Sequence, residues 1–97
     1  MTPKQQEKLF AKVQVRFSHW SKTKCSGYVH GVADEARFRR PHHPQVRAFG
    51  LPRRSYATGY VYGFIDARGP DAFKDPWLKS MKERRMSIAM EYKWWEK

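Results

Sequence analysis

The candidate metal ligands and nucleophiles that lie within reach of one another in this sequence are one thiol and three of the four imidazoles: Cys25, His30, His42 and His43. A structural zinc site needs paired ligands at short, fixed spacings, and these four residues show no such pairing. The sequence therefore predicts neither a metal site nor a cofactor. His42 and His43 follow a run of arginines, where we expect them to add partial positive charge or to contact a partner.

An enzymatic reaction is the next candidate. Gly27–Val32, followed by Phe38-Arg39, resembles the phosphate-binding loop of the acylphosphatase family. That family depends on a catalytic asparagine, and this chain contains no asparagine. Asp34 and Asp66 occupy similar local contexts, but isolated aspartates of this kind more often cap turns than carry out acid–base chemistry. We therefore predict that the protein is not an enzyme.

Positive charge dominates the middle of the chain. The 97 residues carry a net charge of +11, and no acidic residue occurs between Ala36 and Ile65. The cations of this segment are all arginines: Arg37, Arg39, Arg40, Arg47, Arg53 and Arg54. Arginine pairs bidentately with carboxylates and phosphates and also stacks on rings. We interpret this arginine-rich centre as a docking surface for an anionic partner, either an acidic protein or RNA.

A short motif occurs twice. Ser26–Gly31 returns 32 residues later as Thr58–Gly63, and the similarity extends over residues 26–47 and 58–79, with six of the 22 aligned positions identical. Repeated units of this size cannot bury an apolar face alone, so they stack on each other or on a periodic partner. We predict an internal repeat of 32 residues; chance similarity between two glycine-flanked segments is the alternative.

The second copy, Gly59-Tyr60-Val61-Tyr62-Gly63-Phe64-Ile65, resembles the Gly-Tyr-x-Gly-Phe repeats of microtubule inner proteins, and the first copy resembles them more loosely. Both copies have one extra residue between tyrosine and glycine. The resemblance implies a non-enzymatic protein whose turns fit between subunits of an acidic polymer. Tyr28, Tyr60 and Tyr62 would then bind the partner, because tyrosine offers rigid, amphipathic contact area.

Helices are predicted at both ends of the chain. Thr2-Pro3-Lys4-Gln5 has the pattern of a capping box with proline at the first helical position, and apolar residues recur behind it at helical spacing, which predicts a helix over about 3–20. A strand over 13–17 is the competing interpretation. Asp75-Pro76 starts a second amphipathic helix, predicted over about 76–95.

The glycine-bounded segments at Tyr28–His30 and Tyr60–Ile65 are predicted to be short strands, separated by a middle rich in arginine and proline. The predicted fold class is accordingly α+β, small and partly irregular, in a single domain over residues 1–97. Leucine, isoleucine, valine and phenylalanine number only 17, so we expect a thin core that a partner completes.

The single cysteine excludes an internal disulfide, and the sequence contains neither a membrane-spanning run nor the apolar core of a signal peptide. We expect an intracellular protein, either cytoplasmic or cytoskeletal, and the mitochondrial matrix is the alternative location. The predicted function is a structural subunit of a hetero-assembly that docks on an acidic protein surface such as the microtubule lumen. RNA binding in a ribosome is the first alternative, and an independent α+β domain of unknown activity is the second.

Overall fold

The computed structural model describes residues 1–41, 54–85 and 91–96. These residues form four α-helices: α1 (Pro3–Arg16), α2 (Lys22–Phe38), α3 (Arg54–Arg68) and α4 (Pro76–Arg85). Short 3-10 helices occupy Pro70–Lys74 and Trp94–Glu96. The described residues contain no strand, so the predicted α+β class is wrong.

Both helix starts that the sequence predicted are present. Thr2 accepts a hydrogen bond from the Gln5 amide at 3.2 Å, and the Gln5 side chain accepts one from the Thr2 amide at 2.8 Å, so the capping box closes α1. The Asp75 carboxylate accepts hydrogen bonds from the amides of Trp77 and Leu78 and caps α4. These ends were predictable because a few adjacent residues determine them.

The far ends of the same helices differ from the prediction. α1 ends at Arg16 rather than near residue 20. α4 is described as far as Arg85, and residues 91–96 form a turn and a 3-10 helix, so one continuous helix to residue 95 is wrong. The strand alternative over 13–17 is also wrong, because Val13 lies within α1 and is fully buried.

The two predicted strands are instead the central parts of α2 and α3. Glycine is unfavourable inside a helix by about 1 kcal/mol relative to alanine, which is why the motif resembled strands bounded by turns. In a helix, however, glycines four residues apart lie on one face. Gly27 and Gly31 form such a pair on α2, and Gly59 and Gly63 form the matching pair on α3.

These two glycine faces pack directly against each other. A Cβ atom added to Gly31 would lie 2.2 Å from the backbone oxygen of Tyr60, and one added to Gly63 would lie 2.0 Å from that of Tyr28. An added Cβ at Gly27 or Gly59 would approach a backbone oxygen of the other helix as closely. No side chain fits at these four positions, so the two backbones are in contact.

The contacts are also reciprocal. Each glycine faces the carbonyl three residues before the matching glycine of the other repeat: Gly27 faces Tyr56, and Gly59 faces Lys24. The contacting residue numbers increase together along both helices, so α2 and α3 run in the same direction. The arrangement is that of two equivalent helices around a two-fold axis, which is the geometry an internal duplication would produce.

The apolar core lies on two sides of this helix pair. On one side α1 packs its predicted face, including Leu9 and Val13, against α2. The ring of Phe17, which directly follows α1, stacks on that of Trp20 at 4.0 Å. On the other side Leu78 and Met81 of α4 pack against Phe64 and Ile65 of α3, two residues that were predicted to lie in a strand.

Among the described residues, no helix combines the length and apolar character that crossing a membrane requires.

Alanine at Gly31 or Gly63 tests the backbone contact. Because the new Cβ would lie within 2.2 Å of a backbone oxygen, the helices must separate, and we expect the free energy of unfolding to fall by about 2 kcal/mol or more. The gain of about 1 kcal/mol from the better helix former does not offset this loss. Urea unfolding measures the change.

Ser26→Ala is the matched control for these variants, because Ser26 neighbours Gly27 on α2 and is only partly buried. It should leave stability nearly unchanged. Gly31→Ala and Gly63→Ala should also lose similar amounts, since each added Cβ would meet a carbonyl oxygen of the opposite helix at nearly the same distance. Wild-type stability in both variants would contradict the close contact.

Candidate functional site

The three tyrosines predicted to bind a partner lie in the interior. Tyr28 is 0%, Tyr60 1% and Tyr62 3% exposed. Rings buried in this way offer no surface to an external partner, so the structure does not support the anchor role expected from the Gly-Tyr motif. Their surroundings give two of them a structural role instead.

Tyr28 and Tyr60 connect the two repeats through hydrogen bonds, of which the first is buried and the second partly buried. The Tyr28 hydroxyl donates to Asp66 Oδ2 at 2.5 Å, and the Tyr60 hydroxyl donates to Asp34 Oδ2 at 2.6 Å. Each repeat thus supplies the donor for the carboxylate of the other. Both aspartates were interpreted from the sequence as turn caps. The sequence feature that indicates their hydrogen bonds to tyrosine is the spacing of six residues between tyrosine and aspartate in both copies.

The two bonds differ in their surroundings. The hydroxyl of Tyr28 also accepts a hydrogen bond from the indole of Trp94 at 2.7 Å, which connects the C-terminal 3-10 helix to the helix pair. Burial raises the pKa of Tyr28, and the neighbouring carboxylate raises it further. Burial also raises the pKa of Asp66 to about 6, although the hydrogen bond from Tyr28 and the charge of Arg16 oppose the shift. Asp66 Oδ1 is buried without a hydrogen-bond partner in the described part of the chain.

The predicted arginines do not form one patch. Arg37, Arg39 and Arg40 are exposed at the end of α2, where the Arg39 carbonyl accepts a hydrogen bond from Arg68 near the end of α3. Arg54 begins α3, about 20 Å along the helix from Arg68 at 1.5 Å per residue. Because α2 and α3 are parallel, Arg54 and the first three arginines lie at opposite ends of the pair. Arg47 and Arg53 lie outside the described residues.

Acidic side chains are mostly engaged within the fold. Asp34 and Asp66 accept from tyrosines, and Asp75 caps α4. Glu35 is buried and lies 3.5 Å from Arg39 and 3.6 Å from Arg68. Two further ion pairs join Asp71 to Lys74 and Glu91 to Arg16. Three exposed acidic residues remain: Glu7, Glu83 and Glu96.

Many of the cations that the structure describes, by contrast, are exposed and have no ion-pair partner. Nine exposed lysines and arginines take part in no ion pair among the described residues: Lys4, Lys8, Lys12, Lys22, Arg37, Arg40, Lys79, Arg84 and Lys93. The surface is therefore more strongly basic than the net charge of +11 alone implies. A surface of this kind attracts anionic partners and excludes cationic ones.

A groove lies within this basic surface. It lies between α1, the end of α2 and the C-terminal 3-10 helix, and its volume is about 550 Å³. Buried Leu9, Val32 and Ala67 line its floor. Within the part of the chain that the structure describes, no cluster of three or more histidine, cysteine, aspartate or glutamate side chains is placed to hold a metal ion.

Comparison with models of known protein families, with curated proteins and with solved structures finds no match to this chain.

Replacing each tyrosine by phenylalanine measures how much each of the two hydrogen bonds between the repeats contributes to stability. Tyr28→Phe leaves the buried Asp66 carboxylate and the Trp94 indole without their partner, so we expect a loss of about 1–3 kcal/mol in the free energy of unfolding. Tyr60→Phe should lose less, because Asp34 is only partly buried and water can replace the hydroxyl. Chemical unfolding gives both values, and equal losses would contradict this difference.

The raised pKa of Asp66 predicts a dependence of stability on pH. Its pKa is about 6 in the folded chain and near 3.9 when unfolded, so between these values the folded chain binds more protons. Protonated Asp66 favours folding, and its contribution is lost as pH rises from about 4 to above 6. Asp66→Asn should flatten this part of the stability profile measured by urea unfolding; an unchanged slope in the variant would rule out Asp66 as its source.

Proposed function

We propose that this protein is a non-enzymatic structural subunit of a larger assembly, which docks through its exposed cations on an acidic protein surface. The observation that carries the proposal is the division of charge in the fold. Six of the nine acidic residues are engaged within the molecule, whereas most cations face solvent. The positive charges of such a protein repel one another when it is alone, and an anionic partner relieves this repulsion.

Carboxylates are favoured over RNA by the shortage of exposed phenylalanine, tyrosine and tryptophan rings among the described residues. Single-stranded RNA is held by stacking its bases on exposed aromatic side chains. Among the described residues the large apolar side chains that are exposed are Met1, Val15 and Phe38, of which only Phe38 is aromatic. The arginines at the end of α2 can pair bidentately with carboxylates without any such stacking.

RNA binding remains the second candidate because of that same aromatic residue. Phe38 is 38% exposed, and the guanidinium of Arg37 lies 5.0 Å from the centre of its ring. A guanidinium beside an exposed ring is a combination that binds both a phosphate and a base. A ribosomal location would fit this alternative.

The microtubule lumen is the particular acidic surface implied by the Gly-Tyr resemblance. The glycines and tyrosines that carry this resemblance are used in the contact between α2 and α3, which weakens its support. We therefore propose an acidic protein scaffold in general and keep polymerised tubulin as one probe. An intracellular location belongs to the proposal and agrees with the free, buried thiol of Cys25.

Binding of the labelled protein to polymerised tubulin, polyglutamate and ribosomal RNA, each at low and high salt, tests the proposal. We expect binding to an acidic protein or polypeptide that excess RNA does not displace. Changing Arg37, Arg39 and Arg40 together to lysine keeps the charge but removes the bidentate fork, so binding should weaken by roughly tenfold.

Arg84→Lys is the control, because Arg84 is an exposed arginine on α4, a helix that packs against α3. It should bind like the wild type. Preferential binding to RNA, with a salt slope of about −0.7 to −0.9 per phosphate contact, would replace the proposal by its alternative.

A further inference from the structure

The groove beside the end of α2 combines an apolar floor with a positively charged rim. Its floor is aliphatic, as described above, and Ala36 adds an exposed methyl group on α2. The rim carries Lys8 and Lys12 from α1, Arg39 from α2 and Lys93 from the C-terminal turn. All four of these cations are exposed.

Few negative charges oppose this rim. Two carboxylates line the groove, those of Glu35 and Glu96. Glu35 is buried and lies close to the guanidinium groups of Arg39 and Arg68, so its charge is compensated locally. Glu96 is exposed at the edge. The entrance therefore carries a net positive charge above an uncharged floor.

The backbone provides a second observation at the same place. Among the described residues, Arg39 and Lys93 are the two non-glycine residues with positive φ, at 60° and 49°. Glycine adopts this conformation most easily, and it is the residue most often found at the end of a helix, where Arg39 lies. Both strained positions thus carry a long cationic side chain, and both side chains line the groove.

We propose that this groove is a docking site for an acidic segment of a partner protein, which places an aliphatic side chain on the floor and its carboxylates against the rim. The proposal rests on the function proposed above and assigns the binding of the acidic partner to one site on the basic surface. A volume of about 550 Å³ is within the range of specific binding pockets, and it exceeds what one aliphatic side chain fills. Charge complementarity selects an acidic sequence, and the aliphatic floor selects leucine, isoleucine or valine within it.

The test uses the full-length protein and two fluorescein-labelled peptides. One is rich in glutamate with leucine at its centre, and the other has serine in place of the leucine. Fluorescence anisotropy should show tighter binding of the leucine peptide. Lys8→Glu should weaken that binding at least about tenfold, since it replaces an attractive charge by a repulsive one. Ala36→Phe should weaken it similarly by filling the groove without changing the charge.

Arg39→Gly separates binding from folding. Glycine relieves the positive φ but removes the ion pair with Glu35, which Arg68 still contacts, so the thermal midpoint should change little while binding of the leucine peptide falls. Lys79→Glu is the matched control for Lys8→Glu, because it makes the same change in charge on α4, at a residue that does not line the groove. It should reduce binding much less than Lys8→Glu.

Two outcomes would overturn the inference. If both glutamate variants weaken binding equally and Ala36→Phe has no effect, acidic partners bind the protein through its general charge, and only the groove assignment fails. If neither peptide binds and an RNA oligonucleotide does, the proposed function fails together with the groove. Circular dichroism of each variant ensures that a lost signal reflects binding rather than unfolding.

Discussion

The contact between the backbones of α2 and α3 is the constraint on which the other interactions depend. With four glycines at the crossing, carbonyl oxygens of one helix lie against the main chain of the other, where dispersion and weak Cα–H···O contacts stabilise the pair. Only at this separation can Tyr28 and Tyr60 reach the aspartates of the opposite helix. A wider crossing would leave the buried Asp66 carboxylate without its donor, which is costly in an apolar interior.

The same contact determines how the chain distributes its charge. The packing of α2 against α3 places Asp34 and Asp66 next to tyrosines of the opposite helix. It also brings the end of α2 beside Arg68, which lies near the buried Glu35. Acidic groups used in this way cannot neutralise the surface. The basic exterior is therefore a consequence of the fold as much as of the composition, which is why the position of each charge is more informative about a partner than the net value.

Elements that local interactions determine could be predicted from the sequence, whereas elements that depend on contacts distant in the chain could not. The start of α1 followed from Thr2, Pro3 and Gln5, which contact each other within one turn. The glycines of α2 and α3 oppose helix formation locally, and only the opposing backbone compensates for them. Their spacing of four residues, followed by an aspartate three residues later, is nevertheless a helical face, and giving it more weight would have corrected the predicted strands. The separation of Arg54 from Arg39 could not be foreseen without the parallel arrangement.

The candidate docking groove arises because the two repeats are equivalent in their contact but different in their surroundings. Asp71 occupies the position in the second repeat that Arg39 occupies in the first, so the charge is reversed at the matching place. The surroundings of α3 also differ, because α4 and the first 3-10 helix pack against it with Leu78 and Ala72 fully buried. α1 and the C-terminal turn leave the corresponding side of α2 partly open. The symmetric helix pair thus stabilises the fold, whereas the proposed docking groove lies where the surroundings of the two helices differ.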